Sequence, residues 1–193
     1  MKLNDAIKEK GKPFMVPGCS RNELPQFLIE KGCKVGVEIG VCRGEFTKKL
    51  AEVGLSVFGV DPWQSFRGQG KAGKSQKIQE DNYNYAKNLL SSYKNCLLKR
   101  KTSTEAVEDF ELNSLDFVYI DGDHRFKAVA DDIYEWYLRV RNGGIISGDD
   151  YNLTPPYATH LICQVSPVID AFIKTYKIDN FYVFDGSWIF FKP

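Results

Sequence analysis

Short apolar runs alternate with helical patterns along most of this chain. Five runs rich in β-branched, aromatic and leucine residues predict buried strands; they are Val35–Ile39, Ser56–Val60, Cys96–Lys99, Leu115–Ile120 and residues 145–147. Between the last two runs, apolar residues recur at helical spacing, namely Phe126, Val129, Ala130, Ile133, Trp136, Tyr137 and Val140. Strands that alternate with helices are typical of an α/β fold in which a parallel sheet carries helices on both faces.

Capping residues predict where two of the helices begin. Ser20 and Glu23 have capping-box spacing ahead of the apolar pattern LPQFLIEKG, because a serine and a glutamate three residues apart can satisfy each other's backbone amides. Thr102 and Glu105 repeat this spacing after the third strand. We therefore expect a helical cap within residues 1–33 and a short helix after the third strand.

The carboxyl-terminal part of the chain predicts a different arrangement. Gly143 and Gly144 predict the end of the preceding helix, and Ser166, followed by a proline, predicts the start of another. The strings FYVF and SWIFF flank Asp185 and Gly186 and predict a hairpin, because Asp-Gly readily adopts the positive φ angles of a tight turn. The parallel sheet is thus expected to end in an antiparallel hairpin. The aromatic residues of this hairpin suit either the core or a homodimer surface.

Length and composition favour one domain, 1–193, and small-molecule chemistry. A chain of 193 residues can bury a core without disulfides. Its 26 lysines and arginines against 25 aspartates and glutamates leave a net charge of +1, so no nucleic-acid or membrane partner is predicted. Five cysteines without C-x-x-C spacing indicate free thiols. Because the chain has no apolar leader and no run of roughly 18 apolar residues, we expect a cytoplasmic protein.

The residues at the predicted strand ends indicate a nucleoside site, since ligands of open α/β sheets bind at the carboxyl ends of the strands. The first strand leads into VEIGVCRG, where Glu38 precedes Gly40 and Gly44. Glycines after a strand let a ligand approach the backbone, although they are often only a turn. Asp61 ends the second strand 21 residues after Gly40, which is the approximate separation at which an acid binds ribose hydroxyls.

Three aspartates follow the fourth and fifth strands and indicate a metal site. Asp121 lies in FVYIDGDH, and Asp149 and Asp150 lie in IISGDDY. Converging carboxylates repel one another unless a cation holds them, and oxygen ligands suit an ion such as Mg²⁺. Any one of these acids could equally cap a helix or lie solvated in a loop. His124, three residues after Asp121, is a candidate general base, whereas His160 is at least as readily explained as a loop residue.

These segments, in this order, resemble the class I S-adenosylmethionine-dependent methyltransferases. The resemblance covers about residue 35 to the end and is carried by EIGVCRG, GVDPW, YIDGDH, GGIISGDDY and the terminal hairpin. Within the class, the chain looks most like the metal-dependent small-molecule O-methyltransferases, which include catechol and macrocin O-methyltransferases. The resemblance implies a Rossmann-like, doubly wound, seven-stranded sheet that is mostly parallel, with an antiparallel carboxyl-terminal hairpin strand and helices on both faces.

The resemblance also implies roles for individual residues. The residues expected to bind the cofactor, S-adenosylmethionine, are Glu38, Gly40, Gly44, Asp61 at the ribose, Ser103 near the adenine, and Asp121. The residues at the ligand positions for a divalent metal, with Mg²⁺ expected, are Asp121, Asp149 and Asp150. His124 stands where catechol enzymes have a lysine base and sugar-methylating relatives have a histidine, which points away from catechols. The implied reaction is methylation of a small-molecule hydroxyl, in a sugar or a phenol.

One string predicts a different class of protein. Residues 68–75 read GQGKAGKS and match the phosphate-loop pattern G-x-x-x-x-G-K-[ST], so a P-loop kinase or NTPase is the alternative function. A phosphate loop must leave a buried strand directly, whereas here the strand ends at Val60 and DPWQSFR intervenes. We therefore expect a mobile loop over residues 64–77, in which Lys71 and Lys74 are candidates for substrate contact.

Two further alternatives remain open. A nucleoside-binding domain without catalysis fits the same residues, and an NAD-binding Rossmann domain fits them apart from its G-x-G-x-x-G fingerprint, which is absent. The string TPPY at residues 154–157 resembles the signature of amino-group methyltransferases but follows the wrong strand. We interpret its prolines as stiffening an active-site loop over residues 149–165.

Overall fold

An eight-stranded mixed sheet forms the centre of the computed structural model, which describes residues 1–65, 75–152 and 163–193. Its strands are β1 (Phe14–Met15), β2 (Val35–Ile39), β3 (Ser56–Val60), β4 (Cys96–Lys99), β5 (Leu115–Ile120), β6 (Val140–Gly148), β7 (Phe181–Phe184) and β8 (Ser187–Phe191). Across the sheet they follow the order β1-β7-β8-β6-β5-β2-β3-β4. Strand β8 runs antiparallel to both of its neighbours, and the other neighbouring strands pair in parallel.

Helices cover both faces of this sheet. They are α1 (Leu3–Ala6), α2 (Leu24–Glu30), α3 (Glu45–Glu52), α4 (Gln76–Leu90), α5 (Ser103–Ala106), α6 (Phe126–Arg139) and α7 (Val165–Thr175). In β5, Phe117 and Tyr119 pack with buried residues of α1, α2 and α3, whereas Val118 and Ile120 pack with those of α6 and α7. This two-residue alternation buries the strand on both sides. The predicted doubly wound α/β architecture is confirmed. None of the described helices is long and apolar enough to cross a membrane.

Strands β7 and β8 form the predicted antiparallel hairpin. Asp185 and Gly186 at its turn have φ angles of 49° and 82°, as a two-residue turn of type I′ requires. The hairpin places β8 between β6 and β7. Five of its aromatic residues lie in the core, because each is at most 1% exposed: Phe181, Tyr182, Phe184, Trp188 and Phe190.

The sheet has one strand more than the seven that the resemblance implied. The additional strand, β1, is only two residues long and pairs in parallel with Tyr182 and Val183 of β7. So short an element carries no apolar pattern of its own, which is why the sequence does not predict it. It lies within residues 1–33, the segment predicted to be a helical cap, where the helices are α1 and α2.

Helix α6 and strand β6 meet earlier than the sequence predicts. The helix ends at Arg139 and the strand begins at Val140, so Gly143 and Gly144 lie inside the strand and do not end the helix. The register between β5 and β6 shifts in this region, and Gly143 has a φ of 73°. The two glycines therefore mark an irregularity of the sheet, because glycine tolerates the left-handed backbone that a bulge can need.

Both predicted capping boxes are present. Ser20 and Glu23 cap the 3₁₀ turn Arg21–Glu23 that leads into α2, and Thr102 and Glu105 cap α5. Each box satisfies amides at the start of a helix that have no partner within the helix itself. The first box also fixes the position of the turn that follows Ser20, which reaches the candidate site described below.

The predicted start of the last helix is wrong. Helix α7 begins at Val165, and Gln164, not Ser166, is its cap residue. The amide of Gln164 donates to the carbonyl of His124 at 2.8 Å, and its side-chain oxygen accepts from the amide of Phe126 at 2.9 Å. These contacts come from a distant segment of the chain, so the local Ser-Pro signal does not contain them.

Several predictions fall outside the described residues. They are the phosphate-loop-like string apart from Ser75, with its candidate substrate contacts Lys71 and Lys74, and the TPPY string, together with His160. The predicted loops over residues 64–77 and 149–165 are each described only at their ends. The candidate site is therefore built from the strand ends and helix starts that surround these two segments.

Candidate active site

A cleft of about 810 Å³ opens at the carboxyl ends of the parallel strands. Residues at the ends of β2, β3 and β5 line it, together with the first turns of α5 and α6. Of the residues predicted from the sequence, those that line the cleft are Gly40, Asp61, Ser103, Asp121, His124 and Asp150. Glu38, Gly44 and Asp149 are not among its lining residues in the described part of the chain.

Gly40 allows the ends of β2 and β5 to approach each other closely. Its φ is 91°, and a Cβ atom at this position would lie 2.0 Å from the carbonyl oxygen of Asp121. The amide of Asp121 donates to the carbonyl of Ile39 at 2.8 Å. Any other residue at position 40 would push Asp121 away from β2. Gly40 thus lines the cleft and also fixes Asp121, whereas Gly44 precedes α3 as its cap residue with a φ of 82°.

Asp61 fastens the glycine loop after β2 to the end of β3. Its carboxylate accepts hydrogen bonds from the amides of Cys42 at 2.9 Å and Trp63 at 2.7 Å. The indole N–H of the fully buried Trp63 donates to the carbonyl of Cys42 at 2.7 Å. Burial raises the pKa of Asp61, although both amide contacts oppose this. The acid predicted at the ribose is therefore held by the loop that also carries Gly40.

Glu38 is buried behind this loop and does not reach the cleft. Its side chain accepts a hydrogen bond from the hydroxyl of Thr47 in α3, and the residue is 1% exposed. Burial raises the pKa of Glu38 to about 8 against the effect of Thr47, and the charge of Asp121 adds to the increase. The carboxyl group is thus largely protonated at neutral pH, and it joins β2 to α3.

Asp132 is a cleft residue that the sequence analysis does not identify. It lies on α6, is only 5% exposed and lines the cleft. Burial raises its pKa to about 7, against a hydrogen bond with Ser103. The Ser103 hydroxyl in turn accepts a bond from the indole N–H of Trp136 at 2.8 Å. A signal for Asp132 was present, because it is a charged residue within the apolar helical spacing of Val129, Ile133 and Trp136.

Asp121, His124 and Asp150 form a cluster in the cleft, in which one ligand atom of each lies within 4.8 Å of the others. The Nε2 atom of His124 is 3.0 Å from an oxygen of Asp150 and 3.6 Å from an oxygen of Asp121. Neither contact has hydrogen-bond geometry, so this buried nitrogen has no hydrogen-bond partner among the described residues.

The charges in this cluster shift the pKa values of its members. Burial raises the pKa of Asp121 to about 6, the contact with His124 opposes this, and the charges of Asp149 and Asp150 add to it. Burial lowers the pKa of His124, but the contacts with Asp121 and Asp150 outweigh burial and raise it to about 10. Without further positive charge, the imidazole is therefore protonated at neutral pH.

Asp149 is not part of this cluster. Its carboxylate accepts a hydrogen bond from the Ser187 hydroxyl at 2.9 Å and pairs with the guanidinium of Arg21. Arg21 also lies 3.6 Å from Asp121. Arg21 could not be identified from the sequence, because its capping-box surroundings give no sign of a contact with a residue 128 positions later.

The cluster fits a divalent cation. The carboxylate oxygens of Asp121 and Asp150 are donors that Mg²⁺ or Mn²⁺ accepts, and oxygen donors favour these ions over zinc. The buried Nε2 atom of His124 lacks a hydrogen-bond partner in the described part of the chain, and burial and nearby carboxylates raise the pKa of Asp121. Positive charge bound to the two carboxylates would favour ionisation of Asp121 and lower the pKa of His124, whose Nε2 could then accept a hydrogen bond from a bound ligand.

The sequence model of a methyltransferase-domain family matches residues 37–151, which is more than half of the 193 residues. The chain belongs to this family. The matched stretch begins in β2 and ends after β6, so it contains the glycine loop, Asp61, Ser103 and the cluster formed by Asp121, His124 and Asp150. The methyltransferase prediction is thereby confirmed, and the P-loop alternative is not favoured.

Solved O-methyltransferases share the fold of this domain. A candidate caffeoyl-CoA O-methyltransferase from Staphylococcus aureus has a TM-score of 0.64 at 16% identity, over 88% of this chain and 81% of that one. The O-methyltransferase from Bacillus cereus, in complex with SAH, has a TM-score of 0.60 at 14% identity, over 89% of this chain and 80% of that one. At these identities the likeness shows the fold alone.

A longer relative has a related sequence. The chain is 30% identical over 125 residues to the uncharacterized protein y4gI of Sinorhizobium fredii. The match covers 63% of this chain but only 13% of that protein. The chain therefore spans a small part of this relative.

Proposed function

We propose that this chain transfers the methyl group of S-adenosylmethionine to a hydroxyl oxygen of a small molecule, with help from a divalent cation. One observation carries the proposal: a single cleft contains Gly40 and Asp61, which are expected at the cofactor, and the cluster of Asp121, His124 and Asp150. Group transfer requires a donor and an acceptor held side by side. Membership of the methyltransferase family supports this choice, as does the fold shared with an SAH-bound O-methyltransferase.

The cleft suits S-adenosylmethionine in size and in charge. Its volume of about 810 Å³ lies within the ~300–1,000 Å³ of small-molecule sites. Among the described residues that line it, aspartates outnumber the two cationic side chains, Arg125 and Lys127. The aspartates are Asp61, Asp121, Asp123, Asp131, Asp132 and Asp150. An excess of carboxylates attracts a sulfonium cation.

Each part of the cofactor has a proposed partner. We expect Asp61 to bind the ribose hydroxyls and the loop at Gly40 to contact the methionine part, with Ser103 near the adenine. Gly44 and Glu38 act from outside the cleft in this proposal, since Gly44 starts α3 and Glu38 joins β2 to it. Asp61 can accept from ribose hydroxyls with oxygen lone pairs that its two amide contacts leave available.

The chemical step exchanges one bond for another. The acceptor oxygen attacks the methyl carbon in line, the new O–C bond forms as the C–S bond breaks, and the sulfonium becomes the neutral thioether of S-adenosylhomocysteine. A neutral hydroxyl is a poor nucleophile at pH 7, so its proton must leave. We propose that Nε2 of His124 takes this proton. His124 can do so once positive charge neutralises Asp121 and Asp150, because its pKa then falls from the value of about 10 that these carboxylates impose.

The carboxylates of Asp121 and Asp150 are the proposed ligands of the cation, with Mg²⁺ as the expected ion. A divalent ion held by these carboxylates would lower the pKa of an acceptor hydroxyl and orient it. Asp121 is positioned for this role by its close contact with Gly40. Asp149, the third ligand position of the resemblance, pairs with Arg21 and Ser187 in this proposal.

The proposed acceptor is a sugar or phenol hydroxyl. His124 occupies the position at which the resembling catechol enzymes have a lysine, so a catechol is the less favoured acceptor. Lys71 and Lys74 stay proposed substrate contacts.

Calorimetry tests the cofactor. We expect S-adenosylmethionine to bind, ATP and NAD not to bind, and Asp61→Ala to weaken S-adenosylmethionine binding by about tenfold, as expected for loss of hydrogen bonds to a charged group. Asp179→Ala, which removes an exposed aspartate, is the matched control and should bind normally. Tight ATP binding that disappears in Lys74→Ala would instead support the phosphate-loop alternative.

Turnover tests the reaction and the metal. Release of S-adenosylhomocysteine in the presence of a panel of sugars and phenols should identify acceptors, and EDTA should abolish the activity, with Mg²⁺ restoring it. Equal turnover in excess EDTA would contradict the metal part of the proposal while leaving methyl transfer itself intact.

A further inference from the structure

Arg21 inserts a positive charge between two carboxylates at the edge of the cleft. Its guanidinium pairs with Asp149 and lies 3.6 Å from an oxygen of Asp121. It also lies over the ring of Phe46, 5.2 Å from the centroid. Neither the proposed cofactor contacts nor the proposed chemical step uses this residue.

Arg21 is held in place by its backbone as well as by its side chain. Its amide donates to an oxygen of Asp185 at 3.4 Å, and the hydroxyl of the neighbouring Ser20 donates to the same carboxylate at 3.3 Å. Ser20 also caps the 3₁₀ turn that contains Arg21. The guanidinium therefore approaches Asp121, a residue of the cleft, from an anchored turn, which lowers the entropy cost of keeping it there.

Asp149 has both of its carboxylate oxygens engaged. One accepts from the Ser187 hydroxyl at 2.9 Å, and the other pairs with Arg21. Its backbone carbonyl accepts from the indole N–H of Trp188 at 3.2 Å. The neighbouring Asp150, by contrast, lies in the cluster with Asp121 and His124. Two adjacent aspartates thus have different partners.

We infer that Arg21 is a positioning residue that holds Asp149 outside the ion-binding set and weakens the hold of the cluster on a divalent cation. The inference rests on the proposed function, because the ion concerned is the one proposed for Asp121 and Asp150. A guanidinium 3.6 Å from Asp121 competes with an ion for that carboxylate, and like charges repel at this range.

Mn²⁺ binding, measured from the electron paramagnetic resonance signal of the free ion, tests this inference without any turnover. We expect Arg21→Met to bind Mn²⁺ about tenfold more tightly than the wild type, since one competing charge disappears and Asp149 becomes available as a ligand. Arg21→Lys keeps the charge but loses the planar fork, so its affinity should lie between the two. A positioning role also predicts a pairwise effect: in an Asp149→Asn background, Arg21→Met should tighten binding by less than about threefold.

Arg141 provides a matched control. It pairs with Asp116 at the opposite end of the sheet, and the exposed fractions of the two side chains, 41% and 15%, are close to the 36% and 14% of Arg21 and Asp149. Arg141→Met should lower stability as much as Arg21→Met does and leave Mn²⁺ affinity unchanged. Thermal unfolding of every variant shows which of them are folded during the titration. If Arg21→Met is not folded, Arg21→Lys is used in its place.

The possible outcomes distinguish failure of this inference from failure of the proposed function on which it rests. Unchanged or weaker Mn²⁺ binding by both Arg21 variants, with normal binding by the wild type, overturns the inference alone. An undiminished tenfold gain in the Asp149→Asn background overturns the part that concerns Asp149. If neither the wild type nor the folded Arg21 variants bind Mn²⁺, the metal part of the proposed function is wrong and the inference falls with it.

Discussion

Two arginine–aspartate pairs of similar exposure lie at opposite ends of the sheet, and their surroundings differ. At the amino end of β5, Asp116 accepts from Arg141 at 2.6 Å and from the amides of Lys34 at 2.7 Å and Val35 at 3.0 Å. Burial opposes ionisation of Asp116, but these donors outweigh burial and lower its pKa. At this end one carboxylate meets one guanidinium and two amides, so its charge is fully compensated.

At the carboxyl end of the same strand, negative charge exceeds positive charge. Arg21 is shared between Asp149 and Asp121, and Asp150 lies beyond it beside His124. Burial raises the pKa of Asp121 to about 6, with the neighbouring carboxylates adding to the increase. We expect the compensated end to contribute stability, and the uncompensated end to bind a cationic ligand at the expense of stability.

The largest effect is expected for Asp121→Asn, which removes the central carboxylate of the uncompensated end. Turnover should fall by about 1,000-fold or more, because several kcal/mol of ion-assisted stabilisation are lost, while calorimetry should show S-adenosylmethionine binding close to that of the wild type. Asp116→Asn, at the amino end of the strand that Asp121 follows, is the control and should keep normal turnover per folded molecule. Substantial residual activity in Asp121→Asn would contradict the proposal that the carboxyl end of the sheet, unlike the amino end, has a catalytic role.

His124→Ala should reduce kcat by about 100-fold, the typical contribution of a positioned general base. Because the proposed ligands are Asp121 and Asp150, we expect the affinity for Mn²⁺ to change little. Single-turnover rates and Mn²⁺ titration measure the two quantities separately. A large loss of ion binding would make His124 a ligand and not a base.

Asp116→Asn should lower the free energy of unfolding at pH 7 by about 2 kcal/mol, because the charged hydrogen bonds to Arg141 and two amides are lost. The pKa of Asp116 is lowered in the folded state, so its contribution is fully present above the unfolded pKa of roughly 4 and is lost as the pH falls through the folded pKa. Urea unfolding at pH 7 and pH 3 should show the difference from the wild type shrinking with acidity. Equal stability of the two proteins at pH 7 would contradict the conclusion that Arg141 and the two amides stabilise the charge of Asp116.

Asp132→Asn should change the free energy of unfolding with the opposite sign to Asp116→Asn. Burial raises the pKa of Asp132 to about 7, so the folded protein binds a proton that the unfolded chain releases near pH 4, and wild-type stability falls as the pH rises from about 4 to about 7. The asparagine variant lacks this loss and should be more stable than the wild type at pH 8, by at most about 4 kcal/mol for a shift of about three pKa units, and the difference should disappear near pH 4. Thermal unfolding at both pH values measures it. If the variant were less stable than the wild type at pH 8, the charge of Asp132 would be balanced by neighbouring donors, as the charge of Asp116 is.

Much of the fold followed from patterns within short stretches of the chain. The strands Val35–Ile39, Ser56–Val60, Cys96–Lys99 and Leu115–Ile120 have the predicted bounds, because an apolar run between turn residues reports burial directly. The two capping boxes and the Asp185-Gly186 turn are equally local. Strand β1 and the early start of β6 were not predictable in this way, since both depend on pairing with strands distant in sequence.

The candidate site divides in the same manner. The order of residues along the chain indicated that acids and glycines follow the predicted strands. Because the carboxyl ends of parallel strands meet at one edge of the sheet, this order also indicated that Asp61, Asp121 and Asp150 line one cleft. It could not indicate that Asp149, next to Asp150, pairs with Arg21 instead. That pairing spans 128 positions and depends on how the amino-terminal turn packs against the terminal hairpin. Periodicity and capping report the burial of nearby residues, whereas the division of charge among these side chains depends on distances of a few ångströms between remote segments.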